Sequence, residues 1–203
     1  MRFYNFQILQ NTDEWLAVKV GKFSASTAAD LLMDKKTAGY TKLIDKIIEE
    51  RITGNPTESK TFSGNGFTER GHGLEPVARE DYEFRTFNEV VQVGVVELDD
   101  WTLCSPDGLI GENGLIQIKC PIFNTQREYL KTQKVPGNYL KQMQFELFVS
   151  GREYNIFYSY HPYLPAVEIR VERDEVMIAE IERRLDEAKA EVFNEINFLK
   201  SLK

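Results

Sequence analysis

The sequence predicts an α/β fold, a central mixed β-sheet flanked by helices, in a single domain over residues 1–203. Three observations carry that expectation. Segments of alternating apolar residues, rich in valine and isoleucine, recur at residues 89–98, 115–119, 154–160 and 166–171, the signature of strands. Between and after them lie segments whose apolar residues return every three or four positions, the signature of amphipathic helices. No repeat, low-complexity tract or linker divides the 203 residues, a length that one core accommodates.

The elements follow in chain order. Trp15 to Gly21 leads into Lys22-Phe23-Ser24-Ala25-Ser26, a short extended piece or turn, and Ser26 suits the N-cap of a helix beginning Thr27-Ala28-Ala29-Asp30-Leu31-Leu32. Leu43, Ile44, Ile47, Ile48 and Ile52 place a helix over Thr41 to Thr53, stopped by Gly54-Asn55-Pro56. The polar segment Asn55 to Asn65, with Lys60 and Phe62, is a surface loop. A helix from about Phe67 to Phe84 turns Leu74, Val77 and Ala78 inward and carries Glu69, Glu75, Glu80 and Asp81. Residues 89–98 form one strand leading to Asp99-Asp100-Trp101 and a hairpin at 105–121. A short helix over Thr125 to Thr132 and a break at Val135-Pro136-Gly137-Asn138 precede a helix from Asn138 to Ser150, which Gly151 closes. Strands Tyr154 to Tyr160 and Ala166 to Val171 form the far side of the sheet. Val176, Ile178, Ile181, Leu185, Ala188, Val192, Ile196 and Leu199 then mark a long amphipathic helix over Asp174 to Leu202.

Composition narrows the function. With 25 Lys and Arg against 32 Asp and Glu, the formal charge is −7, which argues against broad non-specific binding of duplex nucleic acid by a monomer. No apolar run approaches the roughly 20 residues that span a bilayer, so the expected location is cytoplasmic, without a membrane partner. The two cysteines, Cys104 and Cys120, stand in apolar company as buried thiols, and two are too few for a four-cysteine iron–sulfur cluster. His72 and His161 lie far apart in sequence, which supports structural or surface roles and no histidine-based metal site or triad. Ser24 and Ser26 lack the strand–turn–helix setting of a serine nucleophile.

The chemistry concentrates in the hairpin. Ser105-Pro106-Asp107-Gly108-Leu109 is followed, after the turn Gly111-Glu112-Asn113-Gly114, by Leu115-Ile116-Gln117-Ile118-Lys119-Cys120-Pro121. Alternation on the second strand points Gln117 and Lys119 to one face and Ile116 and Ile118 to the other. A carboxylate beside an ammonium on adjacent strands suits a hard divalent cation with a neighbouring proton donor or charge stabiliser.

An Asp, then about ten residues, then an acidic residue, any residue and Lys is the pattern of the PD-(D/E)XK nuclease superfamily. Here Pro106-Asp107 matches the first half and Gln117-Ile118-Lys119 the second, with Gln where the pattern expects Glu or Asp. The surrounding words resemble more narrowly the phage lambda exonuclease and YqaJ-type viral recombinase family. Trp15 with Gly21 and Ser24-Ala25-Ser26, the segment Arg70-Gly71-His72-Gly73-Leu74-Glu75, and Tyr139-Leu140-Lys141-Gln142-Met143-Gln144 extend the resemblance, in the right order, over most of the chain.

The resemblance implies a PD-(D/E)XK core forming a single exonuclease domain. It implies one or two Mg²⁺ ions, with Mn²⁺ as a substitute, held by Asp107, position 117, the backbone carbonyl of Ile118 and Glu75, directly or through water. Lys119 and Gln142 would act on the nucleophilic water or the phosphate. Lys19, where an Arg is expected, together with Ser26 and Ser105 would hold a 5′-phosphate, and Tyr139 shares the helix face of Gln142. Lys60 and Phe62 could approach DNA. The implied activity is 5′-to-3′ degradation of one strand of linear duplex DNA, leaving 3′ tails for recombination. A homotrimeric ring, a single-strand annealing partner and a bacterial or phage-infected bacterial cytoplasm are implied with it.

Gln117 is the departure that matters. An amide oxygen ligates a cation without supplying charge, so Mg²⁺ affinity and turnover should both fall. Either a Glu→Gln substitution was made to hold substrate uncut, which the intact remaining motifs favour, or Gln is natural. A catalytically silent DNA-end-binding protein and a structure-specific endonuclease are the alternative readings. A pure assembly protein is a third, against which the hairpin argues.

Overall fold

The computed structural model describes residues 2–57 and 66–202, and of residues 66–72 the backbone alone. Lys60 and Phe62, and the side chains of Glu69, Arg70 and His72, therefore lie outside the described residues. Strand β1 (Phe3–Asn5) precedes helix α1 (Asp13–Lys19), whose cap Thr12 accepts a hydrogen bond from the Trp15 amide. Strand β2 (Phe23–Ser24) runs into one turn of 3₁₀ helix, Ala25–Thr27, and then α2 (Ala28–Leu31). The expected N-cap at Ser26 is displaced: Ser24 and Thr27 form a reciprocal capping box around the 3₁₀ turn, and Ser26 sits inside it, exposed. Helices α3 (Ala38–Thr53) and α4 (Gly66–Thr86) follow.

The strand expected over 89–98 is two strands, β3 (Val90–Val91) and β4 (Val95–Asp99), which belong to different sheets. The division falls at Gly94, where a Cβ would lie 2.1 Å from the Ile8 carbonyl oxygen. Strand β5 (Thr102–Cys104), the hairpin strands β6 (Gly108–Ile110) and β7 (Gly114–Lys119), α5 (Phe123–Thr132), α6 (Gly137–Ser150), β8 (Tyr154–His161), β9 (Leu164–Glu172) and α7 (Glu175–Ser201) complete the chain. Gly151 ends α6 at φ 73°, the left-handed cap that favours glycine.

The expected central sheet is split into two mixed sheets, β1-β4-β5-β2 and β3-β6-β7-β8-β9. Strand β7 pairs antiparallel with β6 and parallel with β8, and its two faces meet different helices. Ile116 and Ile118 pack with Ala78 and Tyr82 of α4, Val90, Ile156 and Tyr158. Leu115 joins the larger core, where Phe145 and Leu147 of α6 meet Ile181, Leu185, Ala188 and Val192 of α7. The helical stripes hold with exceptions at their margins: Ile52, Val77, Val176 and Leu199 are exposed, and on α4 Tyr82 joins Ala78 on the inward face.

This sandwich fixes the hairpin, and Gly108 tests it. A Cβ there would lie 2.2 Å from Val90 Cγ1 and 3.1 Å from Ile116 Cγ2. Gly108→Ala is expected to cost roughly 1–3 kcal/mol by overpacking. An unchanged melting temperature would show that β3 yields freely.

Candidate active site

Residue 107 lies one step before β6, and because Gly108 pairs with Ile116 it falls opposite Gln117 on β7. Asp107 Oδ2 accepts the Ile118 amide N–H at 2.7 Å and an N–H from Gln117 Nε2. Gln117, only 1% exposed, accepts at Oε1 from Gln142 Nε2 of α6 at 2.7 Å. Helix α4 contributes Glu75, paired with Arg79 Nη2 at 3.0 Å one turn on. Burial raises Asp107, against the opposing pull of Lys119. Burial first, and then the charge of Asp107, push Glu75 up to about 7.

A single cleft of about 770 Å³ collects Lys19, Ser26, Glu75, Ser105, Asp107, Gln117, Ile118, Lys119, Tyr139 and Gln142. Among the described residues, every site residue expected from the sequence thus lines one cavity, while Lys60 and Phe62 lie outside them. Near Asp107 and Gln117, the Lys119 ammonium stands 5.2 Å from the Tyr139 ring centroid. In the same cleft the Lys19 ammonium lies 3.7 Å from the Trp15 ring centroid, and Trp15 Nε1 donates to Ser105 Oγ at 2.9 Å. The Ser24 and Ser26 hydroxyls are 3.0 Å apart. Gln144, by contrast, turns away, bonding the Glu172 carbonyl and the Asp174 amide as a structural group.

Sequence reasoning missed Glu146. It is fully buried, its carboxylate accepts from Gln142 Nε2 at 2.9 Å and Asn155 Nδ2 at 2.8 Å, and burial pushes it up to about 8. The signal was present: Glu146 follows Gln142 by four residues and shares its helix face. Ser24 and Gln10 also line the cleft. Gln10 Nε2 donates to the carbonyls of Val93 and Pro106, tying the β1–α1 connection to the start of the hairpin. His161 is buried against Phe123 and does not line the cleft. Neither cysteine is in a disulfide: Cys104 is buried as expected, whereas Cys120 is half-buried and lines the cleft.

Among the described residues no group of three or more His, Cys, Asp or Glu side chains forms a ready metal cluster. The donor set nonetheless suits a hard divalent cation. Two carboxyl groups held up by burial, Asp107 and Glu75, share the cleft, and a cation would relieve both. Gln117 fits only partly, since it turns an amide N–H towards Asp107 where a ligand would present oxygen.

A hairpin Asp and Lys joined by a helix carboxylate, on a mixed sheet flanked by helices, defines a protein of the PD-(D/E)XK nuclease superfamily. Within it the chain belongs to the YqaJ-like viral recombinase domain family, whose profile matches residues 14–153. An alkaline exonuclease from Laribacter hongkongensis is 38% identical, covers 94% of this chain and 97% of its own, and superposes with a TM-score of 0.86. The same enzyme in complex with dAMP gives 0.85. A phage-related exonuclease from Haemophilus somnus 129PT, 14% identical with a TM-score of 0.66 over 90% of this chain and 96% of its own, shares the fold. The comparison with curated proteins gives no match.

Proposed function

We propose that this chain is a Mg²⁺-dependent exonuclease that degrades one strand of linear duplex DNA from 5′-phosphorylated ends, weakened by Gln117. The observation that carries this reading is the cleft, which joins the Asp107, Glu75 and Lys119 cluster to Lys19, Ser26 and Ser105. The relative bound to dAMP supports it, because a 5′-mononucleotide is what such digestion releases.

Asp107, Glu75 and the Ile118 carbonyl would hold Mg²⁺, which would acidify a water and neutralise charge on the phosphate, while Gln117, with its amide N–H on Asp107, adds no charge to the set. Lys119 would orient the attacking water and stabilise the developing negative charge. Gln142 helps to place the water or the phosphate. Lys19 and the Ser26 and Ser105 hydroxyls receive the terminal 5′-phosphate, with Trp15 fixing Ser105 by its indole hydrogen bond. Lysine keeps the charge but lacks the arginine fork, so the grip is electrostatic more than geometric. Lys19→Ala is accordingly expected to raise KM for 5′-phosphorylated ends roughly tenfold, and to leave 5′-hydroxyl ends unaffected. Equal losses on both ends would remove the phosphate role.

A homotrimeric ring and a single-strand annealing partner belong to this proposal on the family's account. An acidic chain is compatible with a ring whose channel gathers the local positive charge. Among the described residues no helix is long and apolar enough to cross a membrane.

The deciding experiment is digestion in Mg²⁺ of linear 5′-phosphorylated, linear 5′-hydroxyl and circular duplexes by this chain and by Gln117→Glu. Cleavage of linear DNA alone, preferring the 5′-phosphate, is the expected result. Cutting of the circle would establish an endonuclease. A second reading, a silent DNA-end-binding protein, is favoured by the way Gln117 already satisfies Asp107. It predicts retention of DNA ends without turnover in either version, even in Mn²⁺.

A further inference from the structure

Two amides, Gln117 buried and Gln142 half-buried, connect two carboxyl groups that line the cleft. Asp107 accepts from Gln117 Nε2, Gln117 Oε1 accepts from Gln142 Nε2 at 2.7 Å, and the same nitrogen donates to Glu146 Oε1 at 2.9 Å. Both N–H bonds of Gln142 are thereby used. A primary amide in this series can stand in one of two orientations, and the ends of the series select between them. Glu146 Oε1 accepts, so Gln142 must show it the NH₂ group. That nitrogen then meets residue 117, and Gln117 must show its oxygen there and its own NH₂ to Asp107. Reversing Gln142 would set acceptor against acceptor at a fully buried carboxyl group, a costly arrangement.

Protonation of Glu146 leaves this direction unchanged. Asn155 Nδ2 donates to Oε2 at 2.8 Å, while Asn155 Oδ1 is buried with no hydrogen-bond partner. A proton on Oε2 would find that oxygen once Asn155 turned over, and Oε1 would still accept from Gln142.

We propose that Glu146 is a positioning residue, setting the direction of the Gln142 and Gln117 amides and so determining which atom of residue 117 faces Asp107. With glutamine at 117, the direction turns an N–H on Asp107. With glutamate at 117, the same Gln142 donor would hold the carboxylate in place for a cation. This second consequence rests on the nuclease reading above; the amide direction does not.

The test is hydrogen exchange of side-chain NH₂ groups in ¹⁵N-glutamine-labelled protein, with Gln117 and Gln142 assigned by their loss in Gln117→Glu and Gln142→Met. In Glu146→Gln, whose new amide can donate or accept, exchange of the Gln117 NH₂ is expected to rise at least tenfold while the backbone amides of β7 keep their protection. Unchanged Gln117 exchange overturns the proposal. So does an equal loss of β7 backbone protection, which would mark Glu146 as merely structural. Should Glu146→Gln fail to fold, Gln142→Met breaks the series from a half-buried helix position, and the same rise is expected; its absence overturns the proposal equally. Nuclease activity does not enter the readout, so inactivity on every DNA substrate would sink the function proposed above and leave this result standing.

Discussion

Gln117→Glu is expected to act in opposite directions with and without a divalent cation. In chelator it should lower the melting temperature, because the hydrogen bond from Gln117 Nε2 to Asp107 becomes a carboxylate pair in a buried site. In Mg²⁺ or Mn²⁺ the added charge should tighten cation binding roughly 10–100-fold and raise cleavage of linear DNA by roughly 10²–10⁴-fold. Calorimetric titration with Mn²⁺ beside melting curves in chelator would read both effects. A Gln117→Glu protein that melts no lower in chelator, or binds cation no better, would show that residue 117 does not face the metal. The reversal of sign makes the prediction stronger than a simple gain of activity, since a general effect on folding would move both measurements the same way.

The parts of this site that the sequence displays are those set by strand alternation and short-range turn chemistry. Asp107, Gln117 and Lys119 were legible because a two-residue period and a Gly-containing turn determine which side chains face each other across a hairpin. Gly151 and the stripe of α7 were legible for similar local reasons. What was not legible depends on distant segments. Val90 and Val95 look like one strand until Gly94 meets the Ile8 carbonyl, a contact made across 86 residues (94 minus 8). Ser26 is as good a cap as Ser24 in sequence, and the choice is made by the Ser24–Thr27 reciprocal bonds. Glu146 reads as one more charge on a helix, and its burial follows only from the packing of α6 against β4, β5 and β8. Conflicts between local pattern and final place gather here, around the cleft, as they do where function constrains a fold.

That buried carboxyl group also makes the cation-free protein sensitive to pH, with a definite sign. Glu146 is pushed from 4.5 to about 8, first by burial, so the fold binds a proton that the unfolded chain has already released in between. Stability is therefore complete below about pH 4.5 with respect to this group and declines as the pH rises towards 8. At about 1.4 kcal/mol for each tenfold change in proton affinity, the loss is at most about 5 kcal/mol, and Glu75, pushed to about 7, adds to it in the same direction. For a domain of this size, a loss of roughly 2–5 kcal/mol corresponds to a fall in melting temperature of about 5–15 °C. Melting curves in chelator at pH 5, 7 and 9 should show that decline, and Glu146→Gln should flatten most of it. A melting temperature that holds steady from pH 5 to 9, or falls as steeply in Glu146→Gln, would mean that the carboxyl group is ionised in the fold at little cost. Added Mg²⁺ gives the converse check. On the proposed function a cation would bind the ionised carboxylates Asp107 and Glu75, so its stabilising effect should grow as the pH rises through 7, and the part of the slope that Mg²⁺ removes should survive in Glu146→Gln.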